Sequence, residues 1–147
     1  MTSHQPITIL LVEDDPGHAV LIEKNLRRAG ISHDIVTVSD GQSAVDVLLK
    51  RDSSPGDAHV DPQLVLLDLN LPVLDGYQVL KIIKQDESTK RIPVIVLTTT
   101  DNPSEVAKCY ELGCNAYVTK PVEYEAFCNA IQNLGQLLSV MNVPNNA

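Results

Sequence analysis

The stretch Leu64-Val65-Leu66-Leu67-Asp68 limits the possible folds more than any other part of the chain. Four large aliphatic residues follow one another with no polar position between them, and Asp68 ends the run. A strand with one face in water alternates apolar and polar residues. An unbroken apolar run bounded by turn residues is a strand covered on both faces, the kind that parallel sheets contain. Pro72 lies in the loop that follows, and Asp75-Gly76 begins a new element. Asp68 is then the first polar side chain at the carboxyl end of a buried strand, the edge where open α/β sheets bind their ligands. Taken alone, an Asp there is equally well a turn former or a helix cap, so other residues must decide its role.

The rest of the chain repeats the pattern. Residues 6–12 form an apolar strand that stops at Glu13-Asp14-Asp15. Asp15-Pro16 is a helix start, Asp as cap and Pro at the first helical position, and Ala19, Val20, Leu21, Ile22, Leu26 and Ala29 recur at helical spacing before Gly30. A strand over 34–38 precedes a helix from Asp40-Gly41, and residues 52–62, with two prolines and a glycine, form a surface loop. After the strand that ends at Asp68, a helix runs over 75–85, a strand over 92–97 and a helix from Asn102-Pro103 to Gly113. A strand over 116–119 leads through Lys120-Pro121 into a last helix over 122–140, striped by Phe127, Ala130, Ile131, Leu134, Leu137, Leu138 and Met141. Gly135 interrupts this stripe at about 1 kcal/mol and suggests a bend. Five strand–helix repeats imply right-handed crossovers and an α/β fold: a five-stranded parallel sheet with helices on both faces. One domain is expected over residues 6–141, with a tail at 142–147 and no output domain.

Composition narrows the function classes. The chain has 147 residues, and with one Phe, four Tyr and no Trp its core must be aliphatic. A net charge of −8 and no basic run longer than Arg27-Arg28 or Lys90-Arg91 argue against binding nucleic acid. Cys109, Cys114 and Cys128 are odd in number and lack metal-ligand spacing, which suits buried free thiols in a cytoplasmic protein. No apolar run is long enough to span a membrane. His4, His33 and His59 fall in the tail or loops and are expected at the surface, and Tyr77, Tyr110 and Tyr124 are expected to pack.

Four strands end in chemically loaded residues: Glu13 and Asp14, Asp68, Thr98, and Lys120. Each alone has an ordinary reading as a cap, a hydroxyl or a solvated charge; together at one sheet edge they do not. Three converging carboxylates repel, so they hold a proton or bind a hard cation, and an oxygen-only cluster suits Mg²⁺. Mg²⁺, a Lys ammonium, a Thr hydroxyl and a free carboxylate are together what phosphoryl transfer to an Asp requires.

The set Glu13-Asp14, Asp68, Thr98 and Lys120-Pro121 resembles the receiver domain of two-component response regulators, over nearly the whole chain. The resemblance implies a flavodoxin-like doubly wound sheet of order 2-1-3-4-5, Asp68 as phospho-acceptor, and Mg²⁺ held by Glu13, Asp14, Asp68 and the backbone carbonyl of Asn70. Thr98 and Lys120 would bond the phosphoryl group, Tyr117 occupies the aromatic switch position, and Lys120-Pro121 matches a position where the family carries a cis peptide. The motif LLDLNLP, the loop before it, Thr98-Thr99-Thr100 and the long last helix resemble the single-domain regulators of cyanobacterial and other bacterial phytochromes. That implies a sensor histidine kinase as partner and a homodimer through the C-terminal helix, with signalling by protein contact. Many relatives carry an acid where this chain has His18, which bears on partner choice rather than on the site. Thr99 is bulkier than the Ala or Gly many receivers have there and is expected to slow loss of the phosphoryl group. Two other readings stand beside this one. A Mg²⁺-dependent phosphohydrolase would need an acid where Asn70 stands, and a phosphorylation-independent adaptor would not need a complete site.

Overall fold

The apolar runs pair in parallel, and the register of that pairing positions everything at the carboxyl edge. The computed structural model describes residues 8–49 and 62–140. Its elements are β1 (Thr8–Val12), α1 (Pro16–Arg28), β2 (Asp34–Val38), α2 (Gly41–Leu49), β3 (Leu64–Leu67), α3 (Gly76–Gln85), β4 (Val94–Thr98), α4 (Pro103–Leu112), β5 (Ala116–Thr119) and α5 (Tyr124–Val140). The strands form one parallel sheet of order β2-β1-β3-β4-β5, the expected order. Val12 aligns with Leu67 and Thr98 with Thr119, so Glu13, Asp68, Thr98 and Lys120 come to one end.

Alternate strand residues feed two cores. Leu10, Val12, Val65, Leu67, Val94 and Val96 face α2, α3 and α4. Ile9, Leu11, Leu64, Leu66, Ile95 and Leu97 face α1 and α5. Both faces are therefore dry, which is why β3 has no polar position.

The helix starts follow their caps. The Asp15 carboxylate accepts from the N–H groups of Gly17 (2.8 Å) and His18 (3.1 Å), with Pro16 opening α1. Asp75 and Gln78 form a reciprocal capping box on α3, and Asn102 caps α4. At the opposite edge the Lys84 ammonium donates to the carbonyls of Ile92 (2.7 Å) and Lys90 (3.3 Å) and to Asn115 Oδ1 (3.2 Å), tying α3 to the start of β4.

Several expectations are corrected. β4 begins at Val94 rather than Ile92, because Pro93 has no N–H to give the ladder. α5 begins at Tyr124 rather than Val122, which is fully exposed. The Lys120–Pro121 bond is trans, the form favoured by about 0.5–1 kcal/mol in tertiary amides. Tyr110 and Tyr124 point to solvent, 50% and 63% exposed, while Tyr77 is half-buried. His33 is half-buried, with Nδ1 shut away from solvent. The three cysteines are buried and free. The loop at 52–61, His4, His59, Met141 and the tail at 142–147 lie outside the described residues.

Gly135 does not interrupt the last helix. α5 is one helix from Tyr124 to Val140, and a Cβ built at Gly135 would sit 2.7 Å from Ala29 Cβ. Glycine is there because α1 and α5 approach closely. Gly135→Ala should gain about 1 kcal/mol of helix propensity and lose about 1–3 kcal/mol to overpacking. The expected outcome is a lower urea midpoint than the parent; an equal or higher midpoint would show that the seam can yield.

Candidate functional site

The strand ends deliver a closed set of charges. Asp68 follows β3 directly, and its N–H donates to the Val12 carbonyl (3.0 Å), while the Glu13 N–H donates to Val38 (3.0 Å). These two ladder bonds turn both carboxylates inward: Glu13 is 2% exposed and Asp68 6%. Lys120 leaves β5 with its N–H on the Thr98 carbonyl (2.6 Å), and both Lys120 and Thr98 are buried. Asp14 stays exposed at the rim, and Asp15 is the cap of α1.

Asp68 is bonded at both oxygens. Oδ1 accepts from the Thr98 hydroxyl (3.0 Å) and the Asn70 N–H (3.0 Å), and Oδ2 accepts from the Lys120 ammonium (2.9 Å). Lys120 also donates to Glu13 Oε1, and Glu13 Oε2 accepts from the Asp15 N–H (3.2 Å). One ammonium thus serves two buried carboxylates and leaves the pair net negative. Burial pushes the Glu13 carboxyl up to about 7, and the neighbouring Asp68 charge adds to this, against the lowering effect of Lys120.

Glu13, Asp14 and Asp68 each offer an oxygen, all within 4.8 Å of one another. An oxygen-only donor set with net negative charge fits a hard divalent cation. Asn70, the fourth expected contributor, lines a cavity of about 400 Å³ together with Asp14, Asp75 and Tyr77. The expected site residues Glu13, Asp14, Asp68, Asn70, Thr98 and Lys120 are therefore brought together.

Tyr117 lies beside this set rather than in it. Its ring is half-buried against the α3–α4 core, and its hydroxyl donates to the Thr100 carbonyl (2.5 Å) in the loop after β4. Burial raises its hydroxyl to about 12, so it is a donor at neutral pH. Thr99, next to the buried Thr98, is exposed.

The residue that the sequence left outside is His18. Its Nδ1 lies 3.3 Å from Lys120 Nζ. The Asp15-Pro16 cap fixes the first turn of α1 at the carboxyl edge, but which side chain of that turn faces the strand ends is set by the rotation of the helix, for which the sequence carries no signal.

The family model for the response regulator receiver domain matches residues 9–132. Response regulator Rcp1 of Synechocystis sp. is 39% identical over 135 residues, covering 90% of this chain and 88% of that one. The Mn²⁺-bound crystal structure of Rcp1 superposes with a TM-score of 0.88 at 37% identity, over 95% of this chain and 100% of that one. A response regulator receiver domain from Rhodospirillum rubrum gives 0.85 at 51% identity, over 94% and 97% of the two chains. The phosphorylated cyanobacterial phytochrome response regulator RcpA gives 0.86 at 35% identity, over 96% and 100%. Among the described residues no helix is long and apolar enough to cross a membrane.

The Glu13 carboxyl predicts a pH dependence of folding. Its pKa is raised on folding from 4.5 to about 7, so within that window the folded protein binds more protons than the unfolded chain. Stability of the metal-free protein should therefore fall as pH rises through the window. Urea midpoints in EDTA should show this decline for the parent and a flatter profile for Glu13→Gln; parallel profiles would rule out Glu13 as the source.

Proposed function

The chain is a member of the response regulator receiver domain family, and on that footing we propose that it is a signalling switch that accepts a phosphoryl group on Asp68. The observation that carries this reading is the Asp68 carboxylate itself, buried at a sheet edge with Thr98, the Asn70 N–H and Lys120 as donors. In the transfer a carboxylate oxygen of Asp68 forms a bond to phosphorus, the donor's P–O or P–N bond breaks, and the electron pair leaves with the donor. Lys120 and Thr98 are donors aimed at the oxygens where charge accumulates. Mg²⁺ held by Glu13, Asp14, Asp68 and the Asn70 carbonyl would neutralise further charge on the phosphoryl group.

The donor is a sensor histidine kinase, by analogy with RcpA of phytochrome type, and the protein works in the cytoplasm. Phosphorylation adds charge and acceptor oxygens at Asp68 and shifts a two-state equilibrium. Tyr117, hydrogen-bonded to the loop between β4 and α4, relays the shift to the face formed by α4, β5 and α5. Output passes through a second copy of the chain along α5, where Leu137 is 56% exposed. Turnover of phosphoesters is not part of this function: Asn70, two residues past the acceptor, cannot shuttle protons as a phosphohydrolase requires.

Intact mass after acetyl phosphate and Mg²⁺ should show one added phosphoryl group on the parent and none on Asp68→Asn, with sedimentation shifting toward a dimer on labelling. Labelling that survives in Asp68→Asn would place the acceptor elsewhere. Thr99→Ala should shorten the phospho-state lifetime by widening access for water; an unchanged decay rate would remove Thr99 from control of lifetime.

A further inference from the structure

Lys120 has three N–H groups and three acceptors: Glu13 Oε1, Asp68 Oδ2 at 2.9 Å and His18 Nδ1 at 3.3 Å. A lysine ammonium only donates, so a lone pair of Nδ1 must face it and the imidazole proton sits on Nε2. His18 is the one acceptor of the three that is not a carboxyl oxygen. Its ring packs against Phe127 of α5, with centroids 5.3 Å apart at 31°, and Asp15 Oδ2, on the cap of its own helix, lies 3.9 Å from Nδ1, beyond hydrogen-bond distance. The charged groups around the imidazole are thus Asp15 on α1 and Lys120 at the end of β5, the latter shared with Glu13 and Asp68; from α5 the ring meets the uncharged Phe127.

We infer that His18 is a positioning residue for phosphoryl transfer to Asp68, an inference that rests on the function proposed above. As the bond from Asp68 oxygen to phosphorus forms and the donor departs with its electron pair, negative charge builds beside Oδ2. The ammonium must meet that charge from a fixed place. His18 occupies its third N–H and so sets the direction of the other two. Without that acceptor a buried N–H is left unpaired, and the ammonium is free to settle on Glu13 alone.

Substitution separates positioning from packing. In His18→Asn the carbonyl oxygen takes the place of Nδ1, which keeps the acceptor and loses the ring contact with Phe127. In His18→Leu the apolar contact is kept and the acceptor is lost. With acetyl phosphate and Mg²⁺, the maximal labelling rate of His18→Leu should fall by at least about tenfold, with the half-saturating donor concentration unchanged and His18→Asn within about twofold of the parent. A packing role gives the reverse order, Leu fast and Asn slow. That order, or equal rates in all three proteins, overturns the inference. Should His18→Leu lack the parent's cooperative thermal transition, His18→Gln makes the same comparison, because its oxygen reaches the place of Nε2 and leaves Lys120 without its acceptor. Slow labelling of His18→Gln supports positioning, and parental labelling overturns it. A parent that accepts no phosphoryl group overturns the assignment of Asp68 and this inference together; a parent that labels no faster than His18→Leu overturns this inference alone.

Discussion

The carboxyl edge of the sheet depends on one buried cation. Lys120 lies among Glu13, Asp68 and His18, out of contact with water. Burying an ion costs several kcal/mol even after relaxation, and removing one partner of a buried pair costs about 3–5 kcal/mol because the other charge is left uncompensated. That ammonium compensates both Glu13 and Asp68 at this edge. One ammonium cannot neutralise two carboxylates, however, and Asp14 adds a third at the rim. The remaining charge is relieved by a proton on Glu13 or by a divalent cation. The two are alternatives, since ligands to a metal must be deprotonated. The pKa of Glu13 and the cation affinity of the site are two faces of one imbalance.

That imbalance exists only because distant parts of the chain are brought into register. Lys120 and Glu13 are separated by 107 residues, Lys120 and Asp68 by 52, and Thr98 and Asp68 by 30. Parallel pairing of β1 with β3, of β3 with β4 and of β4 with β5 cancels these separations. The α1–α5 seam does the same for His18. Asn25 Oδ1 accepts from the Gln132 side-chain amide (2.7 Å), and Gly135 admits Ala29 at close range. A seam this tight holds the first turn of α1 against Phe127 and, through it, the imbalance at the sheet edge.

The fold was legible because its determinants are local. Short unbroken apolar runs bounded by turn residues fit doubly covered strands, and Asp-Pro and Asn-Pro caps fix where helices begin. Glu13, Asp14, Asp68, Thr98 and Lys120 were legible as a set because strand ends in a parallel sheet share one edge. What escaped the sequence is what depends on helix-to-helix distance. Gly135 reads as a weak point in a helix until Ala29 is seen against it. His18 reads as bearing on partner choice until the rotation of α1 about its axis is known. Tyr110 and Tyr124 have the composition of packing residues but lie on helix faces that the sheet does not cover. Lys84, whose ammonium gathers Lys90 and Ile92 from the α3–β4 connection and Asn115 from the α4–β5 connection, carries no local signal.

The same hydrogen bonds constrain how a phosphoryl group at Asp68 could drive a switch. A modification shifts an equilibrium only by the difference in its interactions with the two states. The Thr98 hydroxyl has a single hydrogen to donate, and in this structure it goes to Asp68 Oδ1. Tyr117 likewise has its hydroxyl committed to the Thr100 carbonyl. A phosphoryl oxygen that takes the Thr98 hydrogen replaces one charge-assisted bond by another, so the gain is the difference between two acceptors and not a whole bond. Lys120 is in the same position, with all three hydrogens placed. The larger differential term is therefore the net added charge, about −1 because the phosphoryl group's charge of about −2 replaces the carboxylate's own −1, set beside an edge where the carboxylates already outnumber the cation. That charge draws Lys120 away from Glu13, and what Glu13 then binds, a proton or a metal, determines how far the balance moves.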